Sequence, residues 1–269
     1  MTPALTVLEA GLATSVQDAG RPGFAHLGVP RSGALDATMA GVLNRLVGNP
    51  DTAALLETAG GLVVRADSAV TVAATPDVAV HQLAAGDTVA VHPVPGELWG
   101  YVAARGSIAV EAVLDSRSRD SRSGLGPPAV VAGATLVVGP DPATAVAVDH
   151  GAPPRRRTTI ALWPGPRRDW FDDAAWRALT SMQWVVTPEV SRVGVRLCGP
   201  VLGRAVTGEL PSEGLVLGAV QVPSDGQPVV LLADHPTTGG YPVIAVVDPA
   251  DLPSVAQARP GTTLRFRPR

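Results

Sequence analysis

No apolar run in this chain goes far before a glycine, proline, aspartate or asparagine stops it. Its 269 residues include 29 Gly and 26 Pro. Between these stops lie strand-length pieces rich in Val, Ile, Thr, Leu and Ala. They fall at Leu62–Arg65, Ala69–Ala73, Asp87–His92, Leu98–Ala104, Ser107–Val113, Thr135–Val138 and Ala145–Val148. The second half adds Thr159–Leu162, Trp184–Thr187, Gly194–Leu197, Val216–Val222, Pro228–Ala233, Val243–Val247 and Thr263–Arg267. Short runs bounded by turn residues read as strands. Many of them in close succession favour a mainly β fold, a barrel or a sandwich, over a doubly wound α/β sheet.

Three stretches read as helix instead. After Asp36, apolar residues fall at Met39, Val42, Leu43, Leu46 and Val47, the spacing of one packed helix face. Asp36 can cap the start, and Gly48-Asn49-Pro50 stops it. A second helix is expected from Asp172 to about Met182, with Trp176 and Leu179 on its buried side. A short turn is expected in Ala250–Gln257. Between His150 and Thr158, Pro153-Pro154 precedes Arg155-Arg156-Arg157, a sequence suited to a solvated connector. Two β units are therefore expected, 1–150 and 155–269.

Composition excludes several chemistries. The Lys+Arg total of 21 is all arginine. A chain without lysine has no Schiff-base lysine, no phosphate-loop lysine and no carrier for covalent biotin or lipoate. Cys198 is the one cysteine, so no internal disulfide or cysteine metal site is expected, and its strand-like surroundings suggest a core residue. The five histidines are scattered without metal-ligand spacing, so no metal is expected. A net charge of −3 offers no basic field for nucleic acid. The absence of a long apolar run or basic leader makes the expectation cytoplasmic, with no membrane.

Four segments are more polar than packing requires. Ser15–Gly23 and Pro30–Asp36 concentrate Gln17, Asp18, Arg21, Arg31 and Ser32 among glycines ahead of a helix. That layout suits either anion binding or a hydrogen-bonded loop. Leu114–Gly126 alternates Arg with Ser, so Arg117 and its neighbours can grip a carboxylate or phosphate or form an exposed loop. Ser191-Arg192, Glu213 and Gln221 flank strand-like runs, as a binding group or as surface ion pairs. Asp234-His235-Pro236-Thr237-Thr238-Gly239-Gly240-Tyr241 follows a buried-looking strand and is longer than a plain hairpin turn. It offers hydroxyls, backbone N–H groups and a carboxylate at a well-held position.

The segments VQDAGRP (Val16–Pro22), HLGVPRSGALD (His26–Asp36), LVGNP (Leu46–Pro50), SRS (Ser116–Ser118), WPGPRRDWF (Trp163–Phe171), PSEG (Pro211–Gly214), GAVQVP (Gly218–Pro223) and TTGGYP (Thr237–Pro242) come in this order. In them the chain resembles the carboxyltransferase-like family that includes the C-type subunit of 5-oxoprolinase, allophanate hydrolase subunit 2, the sporulation-kinase-inhibitor antagonist and the urea amidolyase carboxyltransferase part. The resemblance implies two cyclophilin-like β-barrel domains with a few short helices. It implies a B-type partner protein in a hetero-oligomer, with an A-type protein beyond it. The implied reaction is ATP-dependent activation and hydrolysis of a small amide or lactam, 5-oxoproline to glutamate, with ATP held in the partner complex. Two alternatives come with the family. One is a biotin-dependent carboxyltransferase of the urea amidolyase type, and the other is a non-catalytic regulatory subunit that binds a kinase inhibitor. The candidate catalytic residues are Asp234, Thr237, Thr238 and Glu213. Gln17, Asp18, Arg21, Ser32, Arg117, Arg192, Gln221, Gly239, Gly240 and Tyr241 are the candidate substrate-binding residues. The chain departs from the family pattern at Pro236, where Gln is usual. It also lacks an Asp between Ser191 and Arg192, and has Val195 where an aromatic is usual.

Overall fold

The computed structural model describes residues 2–146 and 148–269. They form two compact units, Met1–Arg21 with Ser32–Pro154, and Pro22–Arg31 with Arg155–Arg269. The split in the connector falls between Pro154 and Arg155. The expected segments 1–150 and 155–269 do not single out Pro22–Arg31, which groups with the second unit.

The first unit contains β1 (Ala4–Ala10), β2 (Ala13–Gln17), α1 (Ala37–Leu46), β3 (Leu55–Ala59), β4 (Leu62–Ala66), β5 (Val70–Ala74), β6 (Ala79–Leu83), β7 (Thr88–Val91), β8 (Trp99–Ala104) and β9 (Thr135–Val137). One sheet runs β7-β4-β1-β9 and the other β2-β3-β8-β5-β6. Both feed one aliphatic core that includes Leu5, Val7, Val16, Leu56, Leu62, Val64, Val72 and Val102. The helix forms where its spacing and cap require. Asp36 accepts from Met39 N at 2.9 Å, and Met39, Leu43 and Leu46 are buried.

The second unit contains β10 (Thr159–Pro164), α2 (Asp173–Ser181), β11 (Gln183–Val190), β12 (Gly194–Cys198), β13 (Glu213–Gly214), β14 (Ala219–Gln221), β15 (Val229–Leu231), β16 (Thr238–Gly239), β17 (Val243–Val247), α3 (Leu252–Ala256) and β18 (Thr263–Pro268). Seven of its strands close into a barrel in the order β10-β17-β14-β15-β12-β11-β18. Its β10–β18 pair is parallel, and the other neighbours run antiparallel. The two remaining strands, β13 and β16, pair only with each other.

Four expectations change. Ser107–Val113 is not a strand. Ser107 sits at φ 70°, Leu114 and Asp115 turn at φ 52° and 62°, and only isolated bridges at Ile108 and Val113 remain. Val216–Val222 shortens to β14 because Gly218 bends the chain at φ 83°. Cys198 is exposed: along β12, Val195 and Leu197 face the core, so Arg196 and Cys198 face outward. Trp176 is half-buried rather than buried, with the Arg168 guanidinium 5.2 Å from its ring centre. The run Ala145–Val148 includes Ala147, which lies outside the described residues. No helix among the described residues is long and apolar enough to cross a membrane.

Candidate functional site

The first unit gathers one set of the polar segments into a hydrogen-bonded cluster. Asp18 organises it. One carboxylate oxygen accepts from Gly20 N at 2.8 Å, Ser116 Oγ at 2.6 Å and Ser118 Oγ at 2.5 Å. The other accepts from Arg117 N at 2.6 Å. Arg21 is 1% exposed, with Nε 3.2 Å from Val113 O, Nη1 3.2 Å from Ser32 Oγ, and Nη2 donating to Ser118 O. Ser32 donates in turn to the buried Asp120, at 3.2 Å. Asp120 also accepts from Arg122 N, Ser123 N and Ser123 Oγ. Gln17, at the end of β2, donates to Ser15 Oγ and Arg119 O. The Gln17 Oε1 atom is buried without a hydrogen-bond partner among the described residues.

Glycines let these loops touch. A Cβ on Gly33 would lie 3.0 Å from Ala19 C and Gly20 N, and one on Gly126 would collide with Ser118 O. Both glycines also take positive φ, 98° and 93°. Of the five candidate residues here, Asp18, Arg21 and Ser32 direct their polar atoms into the cluster. Arg117 is exposed, and its Nε donates to Val110 O at 2.9 Å. Beside the cluster, the Tyr101 hydroxyl donates to Glu57 at 2.9 Å and accepts from Asp36 N at 3.0 Å. Glu57 also takes Leu35 N at 2.8 Å, so it fixes the entry into α1. Burial, together with the neighbouring Glu57 carboxylate, raises the Tyr101 pKa well above its ordinary value.

The second unit builds a different arrangement around β13, β16 and the barrel rim. Asp234 is fully buried at the end of the β15 segment, and Arg192 is 6% exposed. Arg192 donates to Asp234 through Nε at 2.8 Å and Nη2 at 3.0 Å, a forked pair. Asp234 N also donates to Arg192 O at 3.0 Å, so backbone and side chains lock the loop's first residue. His235 follows, with Nδ1 2.7 Å from Pro236 O.

From there the chain rises to the surface. Thr237 is half-buried and Thr238 exposed. Gly214 pairs with Thr238, and Glu213 with Gly239. Leu215 N donates to Thr237 O at 2.9 Å. A Cβ on Gly239 would lie 2.8 Å from Leu215 Cδ1 and 3.0 Å from Gln221 Nε2. Gln221 is 7% exposed and donates to Tyr241 O at 3.1 Å. The Tyr241 ring stands 50% exposed.

The WPGPR segment completes this group, and it carries a key side chain, Arg167, that is absent from the sequence-derived candidates. A Cβ on Gly165 would collide with Val243 O, so only glycine lets the segment lie against β17. Arg167 N then donates to Val243 O at 3.0 Å. Its guanidinium forks onto Glu213, through Nε at 2.9 Å and through Nη2. Hydrogen bonding to Arg167 holds the Glu213 pKa below its ordinary value. Glu213 therefore remains charged near neutrality and is suited to anchoring, not to donating a proton. The group offers two threonines on a backbone held by β13, a half-exposed tyrosine and paired charges, all within one unit. Among the described residues, no cluster of His, Cys, Asp or Glu is arranged to hold a metal.

The closed barrel and the TTGGYP loop paired to β13 lie within a family match that spans most of the chain. The family model for the carboxyltransferase domain, subdomain A and B, matches residues 27–268. The chain belongs to that family. It is 34% identical over 279 residues to the C subunit of the Escherichia coli K12 5-oxoprolinase, covering 97% of this chain and 90% of the relative. It is 30% identical to the urea amidolyase of Lachancea kluyveri over 98% of this chain, but that match covers 17% of the relative. Among solved structures, TTHA0988 matches with a TM-score of 0.85 at 38% identity, and this chain spans 55% of that one. The K. lactis urea amidolyase matches with a TM-score of 0.89 at 28% identity, and this chain spans 19% of it.

Proposed function

We propose that the chain is the C-type subunit of a hetero-oligomeric, ATP-dependent 5-oxoprolinase, working with B-type and A-type partners. The observation that carries this reading is the extent of the match. Aligned residues cover 97% of this chain and 90% of the E. coli relative, so the two have similar extent. A lactam carbonyl is a poor electrophile. Phosphorylating its oxygen with ATP, which leaves ADP, opens the carbon to water; breaking the C–N bond, with a proton going to the leaving nitrogen, gives an acyl phosphate that a second water splits to glutamate and phosphate. The second unit's groups suit the positioning part of this work: Thr237 and Thr238, the Arg167–Glu213 pair, and the loop locked by Arg192–Asp234. ATP belongs to the assembled complex, and the isolated chain is expected to be inactive. Mixing the chain with its B- and A-type partners, proving the complex by size, and following ATP-dependent glutamate release tests the reading. A proven complex without turnover overturns it.

A biotin-dependent carboxyltransferase is the second reading, favoured by the TM-score of 0.89 to a urea amidolyase. It needs a biotinylated carrier on another chain, because this one has no lysine. Carboxyl transfer from free carboxybiotin, with no ATP consumed, separates the two readings.

A further inference from the structure

Most arginines near the second unit's site already have a carboxylate. Arg167 pairs with Glu213, Arg192 with Asp234, and Arg196 with Asp225 and Glu189. Arg204 differs. No carboxylate lies within ion-pair distance of it among the described residues, and its Nε is buried with no hydrogen-bond partner. Yet it is held in place. Nη2 donates to Val222 O at 2.7 Å, its backbone bridges to Phe171, and Ala205 N donates to Trp170 O at 2.8 Å. Val222 follows the site residue Gln221 and donates its own N–H to Pro242 O, just past Tyr241, at 3.1 Å. A Cβ on neighbouring Gly203, or on Gly214 of β13, would meet nothing within 4 Å. A half-buried guanidinium with no counterion is costly unless an anion arrives at its exposed part.

We infer that Arg204 binds the anionic oxygens of the ligand, a carboxylate or a phosphate, at the TTGGYP site. Its planar fork suits either group. For the lactam's carboxylate this rests on the function proposed above; the anion site itself does not.

Two measurements test it. In the first, the full chain is titrated with 5-oxoproline, acetate and inorganic phosphate while its melting temperature is followed. Wild type is stabilised by carboxylates, phosphate or both, and the comparison says which. Arg204→Gln needs about 10- to 100-fold more anion for the same effect, and Arg204→Lys falls between. An unchanged titration in Arg204→Gln, or no anion response in wild type, overturns the inference. Arg204→Lys keeps the test valid if Arg204→Gln does not fold. In the second, the assembled complex is given 5-oxoproline and 2-pyrrolidinone, the same lactam without a carboxylate. Arg204→Gln raises KM for the first by about 10-fold or more and leaves the second unchanged. Equal changes for both overturn the inference. If wild-type complex turns over neither lactam, the proposed function falls, and the anion titration still decides Arg204.

Discussion

The loops around Asp18 and the loop around Thr238 look alike as text: both are glycine-rich, polar and dense in hydroxyls. In space they differ in where their polar atoms point. Asp18 accepts four hydrogen bonds from its own cluster, and Arg21 directs three nitrogens onto neighbouring loops. Around Thr238 the buried charges are paired, while Thr238, Tyr241 and part of Arg204, which has no carboxylate partner among the described residues, reach the surface. The polar composition of a loop does not separate scaffold from site; apart from Gln17 Oε1, the satisfaction of its groups from within the cluster does. In the first unit a mutation should then act on stability and leave ligand effects small. In the second, the buried pair should act on stability, and the surface groups on activity.

The largest effect is expected at the Arg192–Asp234 pair. Arg192→Ala takes the forked guanidinium from a fully buried carboxylate, at a cost of about 3–5 kcal/mol in a denaturant melt. The double change Arg192→Met with Asp234→Leu should recover much of that loss, because no lone charge remains buried. A double variant as unstable as the single would mean the pair does more than hold the loop.

Asp18→Ala comes next. It removes the acceptor for two hydroxyls and two backbone N–H groups, at about 1.5–3 kcal/mol. The anion titration of the second unit should be unchanged in it. A shift there, measured well below the melting temperature, would break the contrast between scaffold and site. Tyr101→Phe follows at about 1–2 kcal/mol, since it strips one donor from Glu57 and one acceptor from Asp36 N. The sign with pH is set by the raised Tyr101 pKa. The hydroxyl contributes fully below the ordinary tyrosine value near 10, and the contribution fades as pH rises above it. Wild type should therefore lose more stability than Tyr101→Phe above about pH 10.

Much of this was legible in residues alone. Both longer helices start at the aspartates that cap them, because capping and apolar spacing are local. The barrel strands around Gly194–Leu197 and Val243–Val247 were legible because their short apolar runs and their stops are local too. Ala4–Ala10, Ala13–Gln17, Leu55–Ala59 and Ala79–Leu83 were not. Thr, Glu, His and Gln interrupt their apolar pattern, and cross-strand pairs such as Ser15 with Glu57 stabilise them instead. The TTGGYP loop stood out as polar, but its partners did not. Arg167 lies 46 positions from Glu213, and Arg204 lies 18 from the carbonyl that holds it. No spacing rule reaches that far. The weak local signal for Arg167 was Gly165, where only glycine can approach β17.

The smallest effect, and the finest test of the contrast, lies with Glu213. Its carboxylate is held by Arg167, and its folded pKa is lowered. A lowered carboxylate pKa adds stability above the unfolded value, near 4.3 for glutamate, and loses it as pH falls through the folded one. The pair is partly exposed, with side chains 35% and 30% accessible, so solvent screens it and the melting temperature should move little. Glu213→Gln should lower stability slightly at neutral pH, and its difference from wild type should shrink as pH falls below about 4. Its activity in the assembled complex should fall much further than its stability, because the carboxylate fixes Arg167 against β13, the strand paired with Gly239 and Thr238. A loss of stability that matches the loss of turnover would place Glu213 with Asp18, as scaffold.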